Sequence, residues 1–312
     1  MAGLAAGVHG GVLIAAGGAN FPDKMPWEGG KKAYYEQIFV LKPGDTTWQS
    51  AGRLPESRAY AATVSTSEGV LVFGGENADH IFQDTLWLRW DGQTVVVTRG
   101  PALPAPRTSP MAVLLSGRVY LAGGYSPGAV RRSCGDFWRL DLAHPEAGWK
   151  TLAPWPGATR AQAVMAALDG AVYLISGLEM TVEAGGKPKP TYLNDAFRYR
   201  GDKWERLPDL PWTAVAAPSP APVTTQPARV WVLGGVDGRL VGNVPRDTRV
   251  PDHIVTFDVA SHTWRKTEER WPDPVVTAPA VQFGAAWWIV SGEIMAGVRT
   301  TSVWSWQPGV AP

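Results

Sequence analysis

Val119-Tyr-Leu-Ala-Gly123-Gly124 is a short apolar run that stops on two glycines. Such a run suits a buried strand, and the glycines suit a backbone that turns sharply on leaving the sheet. The pattern recurs as Val12-Leu-Ile-Ala-Ala-Gly17-Gly18, Val70-Leu-Val-Phe-Gly74-Gly75 and Val172-Tyr-Leu-Ile-Ser176-Gly177. It returns again as Val230-Trp-Val-Leu-Gly234-Gly235 and Trp287-Trp-Ile-Val-Ser291-Gly292. Six copies at intervals of 57, 49, 53, 58 and 57 residues make this a repeat that spans the chain.

Each interval holds the same pieces in the same order. A polar loop follows the glycines, then a short strand such as Gln37–Leu41, 84–88, Phe137–Asp141, 196–199 or 254–257. A tryptophan opens the next strand at Trp48, Trp149, Trp204 and Trp264. A Leu-Pro or Trp-Pro turn then leads to the next apolar run, at Pro55, Pro104, Pro156, Pro208 and Pro272. Four strands per repeat of roughly 50 residues predict a propeller, because each small sheet can bury its faces only against its neighbours. Blade 2 departs slightly, with Trp90-Asp91-Gly92 as a turn and residues 94–98 as its fourth strand.

The glycine pairs, spaced tryptophans and Leu-Pro turns resemble kelch repeats. The expected fold is therefore all-β, a six-bladed kelch-type β-propeller with residues 1–312 as one domain. The first blade begins with a hairpin of 4–8 and Val12–Ala16, turning at His9-Gly10-Gly11. In the last unit only six residues follow the third strand, 301–306. Either that blade has three strands or the chain is a truncated version of a longer one, and truncation is the expectation.

Composition narrows the function. The chain of 312 residues is 45% hydrophobic and contains 16 Trp, which excludes a disordered chain. Lys plus Arg is 29 against 28 Asp plus Glu, so no charge excess points to nucleic acid or an anionic membrane. A single cysteine, Cys134, excludes an intramolecular disulfide. No run approaches the ~18 apolar residues of a spanning helix. Residues 1–19 are apolar and small, but no Lys or Arg precedes them, and they are read as the hairpin rather than a secretory leader.

Strand alternation brings the loops after the glycine pairs and those after the Pro turns to one mouth of the ring. This expectation places Asn20, Glu76, Tyr125, Glu179 and Glu293 there, together with Arg58, Arg107 and Arg160. Arginines among carboxylates suit a small acidic, polyhydroxylated ligand, since Arg grips carboxylate bidentately. The alternative for each arginine is an ion pair that ties the blades together. The loop Gly292-Glu293-Ile-Met-Ala-Gly-Val-Arg299-Thr300 is the shortest of its kind and sets Glu293 opposite Arg299 across a hairpin mouth. That pair is either catalytic or a brace for the turn.

Gly292-Glu293-x5-Arg299-Thr300 resembles the motif carrying the proposed catalytic Glu and Arg of N-acetylneuraminate epimerases, the sialic acid mutarotases. Gly17-Gly18-Ala19-Asn20-Phe21 and Glu28-Gly29-Gly30-Lys31-Lys32-Ala33-Tyr34 resemble a segment found late in some members. Arg58-Ala59-Tyr60 and Gly74-Gly75-Glu76 follow in the same order. Here those segments come first and the Glu-x5-Arg segment last, so the chain resembles the cyclically permuted mutarotase branch. The resemblance implies a cofactor-free isomerase that interconverts the α and β anomers of sialic acid by acid–base ring opening. It implies Glu293 as base then acid, and Arg299 as its partner or as a carboxylate ligand, helped by Arg58, Arg107 or Arg160. Export to the periplasm or beyond is the family's habit.

No other motif competes strongly. His9, His80, His144, His253 and His262 lack metal-ligand spacing, so no metal is expected. Cys134 has no neighbouring His for a copper radical site, and no glycine pair opens a helix as a phosphate loop would. The rival functions are a kelch module binding a protein partner and an isomerase of the same fold for another sugar acid. The long loops at 19–36, 181–191 and 236–252 serve either as pocket lids or as docking surfaces.

Overall fold

The hairpin of Ala5–His9 and Val12–Ala16 repeats, in modified form, six times around an axis. The computed structural model describes residues 1–242 and 250–308. Five antiparallel sheets have four strands each and the sixth, over Ala280–Phe283, Ala286–Met295 and Val298–Trp306, has three among the described residues. This is the six-bladed β-propeller expected from the repeat. Phe137–Asp141 forms as read, and the fourth strand of blade 2 is Val95–Gly100.

The apolar runs become second strands, such as Val12–Ala16 and Gly69–Phe73, in which every residue is buried. Outer strands such as Thr263–Arg270 alternate between exposed and part-buried residues, because only one face there meets a neighbour. The core is six seams rather than one centre. Ile14 and Val40 meet Val72 and Leu88 between blades 1 and 2, and Phe73 meets Leu121 between blades 2 and 3. Leu13 and Leu41 meet Val281 and Val290 between blades 1 and 6, which closes the circle.

A ring of backbone hydrogen bonds closes it a second time. Tyr60 N donates to Gly3 O, Ser109 N to Tyr60 O and Gln162 N to Ser109 O. Ala216 N donates to Gln162 O, Thr277 N to Ala216 O and Gly3 N to Thr277 O, with all six bonds between 2.7 and 3.4 Å. All six residues have left-handed backbones, with φ from 50° to 63°. That conformation costs a non-glycine residue free energy, and it recurs because each residue must pass its N–H to the blade before and its carbonyl to the blade after.

Two further devices fasten the blades. Trp149, Trp204 and Trp264 each donate an indole N–H to a carbonyl at the end of the preceding blade, at 3.4, 2.9 and 2.8 Å. The first glycine of the pair lets chain pass chain: a Cβ on Gly74 would stand 2.3 Å from Arg107 O, and one on Gly123 2.1 Å from Arg160 O.

One expected loop is different. Residues 181–191 belong mostly to a long hairpin in which Ala171–Val182 pairs with Pro188–Arg200 beyond the blade itself. The 19–36 loop carries a short ladder, Ala19–Asn20 against Ala33–Tyr34, and a turn of 3-10 helix at Pro26–Glu28. Part of the 236–252 loop, residues 243–249, lies outside the described residues.

Candidate active site

Two positions per blade face the mouth. One is the left-handed ring residue, and the other is the residue after the glycine pair. They are tied together because the residue before each ring position bridges the post-glycine residue: Ala2 with Ala19, Ala59 with Glu76, Thr108 with Tyr125. The series continues as Ala161 with Leu178, Val215 with Val236 and Val276 with Glu293. The ring therefore offers Tyr60, Ser109, Gln162 and Thr277, and the post-glycine positions offer Glu76, Tyr125 and Glu293. Blades 4 and 5 contribute Leu178, Val236 and Ala216 instead, so that side of the mouth is apolar.

A cavity of about 300 Å³ opens there, lined by Tyr60, Ser109, Gln162, Thr277, Glu293 and Arg299, with Lys32 and Arg131 reaching in from loops. The hairpin read in the sequence forms, with Glu293 and Arg299 directly paired across it. Their side chains are 12% and 5% exposed, and Arg299 Nη2 lies 3.3 Å from Glu293 Oε1. Thr277 donates its hydroxyl to Glu293 Oε1 at 3.1 Å, and Gly297 N donates to Oε2 at 3.0 Å. Arg299 Nη2 also donates to the Tyr60 hydroxyl at 3.4 Å, while Phe21 covers the guanidinium at 4.9 Å. Arg299 Nε and Nη1 are buried without a partner.

Across the cavity stands a second carboxylate. Glu76 is 2% exposed and accepts from Tyr34 Oη and from Arg131 Nη2, each at 2.9 Å. Glu76 thus backs the site, and Arg131 presents its cation to it. Lys32 lies between the two clusters, with its Nζ 4.9 Å from the Tyr60 ring centroid and 5.7 Å from that of Tyr34. Burial pushes the Lys32 ammonium below its ordinary value, and Glu76 opposes that shift. Burial, with the nearby Glu293 charge, pushes the Tyr60 phenol up to about 12, so it is a neutral hydroxyl at physiological pH. Three cations, Lys32, Arg131 and Arg299, thus face two carboxylates, Glu76 and Glu293.

The other expected site residues lie elsewhere. Arg58, Arg107 and Arg160 are 3%, 6% and 0% exposed, and none lines the cavity. Each is spent on an aspartate of its own blade, just ahead of the third strand for Asp84 and Asp136 and within it for Asp195. Arg58 meets Asp84 at 2.7 Å, Arg107 meets Asp136, and Arg160 grips Asp195 with two bonds of 2.8 and 3.0 Å. Aromatic faces cover them, with Phe82 at 3.7 Å from Arg58 and Trp138 at 4.8 Å from Arg107. The expected ligand-binding arginines instead follow the alternative reading, a set of structural ion pairs, here within blades.

Asn20 and Glu179 also leave the site, because each stands one residue past the bridged position. A shift of one along an extended chain turns a side chain to the opposite face. Asn20 instead sits in the loop ladder opposite Ala33, and Glu179 accepts from Thr159 at 3.4 Å. Lys32, Arg131, Tyr60, Ser109, Gln162 and Thr277 were not singled out from sequence. Four of them have a signal in the repeat: the ring residue stands two after the position held by Arg58, Arg107 and Arg160. Among the described residues, no group of three His, Cys, Asp or Glu side chains is arranged to hold a metal ion.

With this geometry in place, the likeness to known proteins becomes specific. The family model described as N-acetylneuraminate epimerase matches residues 1–97 and 101–244. An N-acetylneuraminate epimerase of Vibrio cholerae is 40% identical over 107 residues, 31% of this chain and 27% of its own. One of Haemophilus influenzae is 29% identical over 230 residues, covering 64% of this chain and 57% of that protein. One of Brucella melitensis is 33% identical over 107 residues, 31% of this chain and 27% of its own. The chain thus spans between about a quarter and just over half the length of these relatives.

Proposed function

The chain belongs to the N-acetylneuraminate epimerase family, and from that premise we propose that it interconverts the α and β anomers of N-acetylneuraminate in the Glu293–Arg299 cavity. The observation that carries the proposal is a carboxylate fixed beside an arginine whose Nε and Nη1 donors are buried and unused. A cavity of about 300 Å³ is at the small end of ligand sites, ~300–1,000 Å³, as one monosaccharide requires. Its excess of one positive charge matches a sugar with one carboxylate.

Anomerisation needs a base to take the proton of the anomeric hydroxyl and an acid to protonate the ring oxygen, giving an open keto form that closes on its other face. Glu293 serves the hydroxyl. Its orientation is fixed by the Thr277 hydroxyl and Gly297 N–H, so little of the substrate's binding energy goes into aligning it. Arg299, which lines the cavity, presents its guanidinium charge to the sugar carboxylate, while its Nη2 remains with Glu293 and Tyr60. Tyr60, Ser109 and Gln162 offer hydroxyl and amide groups to the polyol. The segment order, with the Glu-x5-Arg hairpin last, is proposed to be a circular permutation of the family's, which a ring of neighbour contacts tolerates.

Proton NMR of freshly released α-sialic acid tests this reading. The protein should speed the approach to anomeric equilibrium. Glu293→Gln should slow that by about 10²-fold or more without altering the fold, the usual worth of a general base being ~10²–10⁴. Full speed in the variant would remove Glu293 from the chemistry. A folded wild-type protein that gives no acceleration would turn the reading toward a different sugar acid.

A further inference from the structure

The anomerase reading leaves one proton without a donor, and on that reading we propose that Lys32 is the acid that protonates the ring oxygen on opening and recovers the proton on closing. The cavity restricts the choice. Arg131 and Arg299 do not release protons in the accessible pH range. Glu76 does not line the cavity and is held by Tyr34 and Arg131. Ser109, Thr277 and Gln162 do not titrate, and the Tyr60 phenol, pushed up to about 12 by burial, is a weaker acid than the Lys32 ammonium.

Lys32 is different in kind. It lines the cavity, and among the described residues it forms no ion pair. It rests against two aromatic rings, Tyr34 and Tyr60, which stabilise a cation without taking its N–H donors. The charged groups facing it are Glu76 and Arg131 from blades 2 and 3, and Glu293 and Arg299 from blade 6. Their charges largely cancel, so burial dominates and makes the ammonium a stronger acid than a solvated lysine. The loop does not let it wander: Ala33–Tyr34 pairs with Ala19–Asn20, and Tyr35 N donates to Gly18 O.

The step balances. The anomeric O–H gives its proton to the Glu293 carboxylate, and the carbon–ring oxygen bond breaks with its electron pair on the ring oxygen. That oxygen takes a proton from the Lys32 ammonium, leaving a ketone and a free hydroxyl. After rotation about the adjacent carbon–carbon bond, the hydroxyl attacks the other face and returns its proton to Lys32. Glu293 returns its proton to the anomeric oxygen. A positive and a negative group are neutralised together, so no net charge develops in the cavity.

Lys32→Met and Lys32→Arg, with wild type and Glu293→Gln beside them, decide the assignment by NMR rates from mildly acid to alkaline pH. The acid must be protonated, so wild-type kcat should fall as pH rises through the Lys32 value, below the ordinary 10.5. Lys32→Met should lower kcat about 10²–10⁴-fold with a smaller change in KM, and should lose the alkaline limb. Lys32→Arg keeps the charge but not a releasable proton and should stay slow.

Full kcat in Lys32→Met, or recovery in Lys32→Arg, overturns the proposal, the latter making residue 32 a carboxylate anchor. No acceleration by wild type sinks the anomerase reading and this proposal together; a slow Glu293→Gln beside a fast Lys32→Met sinks only this one. Should Lys32→Met not fold, an NMR titration of the wild-type Lys32 amine decides, since its midpoint must coincide with the alkaline limb.

Discussion

Arg160 and Arg299 are both buried, and what surrounds each separates a brace from a proposed ligand group. Arg160 spends its guanidinium on Asp195 and on the carbonyls of Ser176 and Ala158. Arg160→Met leaves Asp195 uncompensated and should cost about 3–5 kcal/mol, read as a lowered denaturation midpoint. The anomerisation rate per folded molecule should be unchanged; a slowed but stable variant would return Arg160 to the site. Arg299→Met should act on the site as well, raising KM by about tenfold or more, with some loss of stability from the buried Glu293 it leaves behind. The sequence placed both residues at one mouth because it displays phase but not partners. Asp84, Asp136 and Asp195 lie 26, 29 and 35 residues beyond their arginines, across loops of different length, so no fixed spacing marks the pairs. Glu293 and Arg299 were legible because the five residues of tight hairpin between them leave them nowhere else to be. Lys32 and Arg131 were not, since long loops bring them in and no local periodicity fixes where a loop ends.

Strands were legible where the run is apolar and bounded by glycine, as at Val12–Ala16 and Gly69–Phe73. The hairpin beyond blade 4 was not, because Gly185-Gly186-Lys187-Pro188-Lys189-Pro190 has the chemistry of a turn and its strands leave the core, so no buried face imposes alternation. The glycine pair's own role needs the neighbouring blade to be seen. Gly123 sits at φ 57° with Arg160 O where a Cβ would go, and Gly124 N donates to that same carbonyl at 2.9 Å. Gly123→Ala must therefore push blades 3 and 4 apart as well as strain the backbone. We expect a loss of about 2–4 kcal/mol, above the ~1 kcal/mol of left-handed strain alone. Gly11→Ala is the control: its φ is 75° but nothing lies within 4 Å of the added carbon. Equal thermal shifts in the two variants would show that the seam tolerates the methyl.

Closure links the fold to the site through the six left-handed residues. An open array of repeats loosens from its ends, whereas a ring can open only by breaking a seam. The seam between blades 6 and 1 rests on Leu13, Leu41, Val281 and Val290 and on the bond from Gly3 N to Thr277 O, at 2.8 Å. Gly3 is the one glycine among the ring residues, and a Cβ there would stand 2.5 Å from Tyr60 Cδ1 and 2.8 Å from Tyr60 N. The Tyr60 ring that excludes the methyl also floors the cavity, touches Arg299 through its hydroxyl and supports Lys32 on its face. Gly3→Ala should therefore do two things at once. It should lower stability by about 1–3 kcal/mol, and it should slow anomerisation by about tenfold or more, because small displacements of positioned groups are costly. Gly11→Ala, equally left-handed but far from any neighbour, should lose stability alone. Thermal unfolding and NMR rates on the two variants separate the effects. A Gly3→Ala protein with wild-type turnover would mean that Tyr60 moves independently of the ring, and that closure holds the blades without setting the geometry of the site.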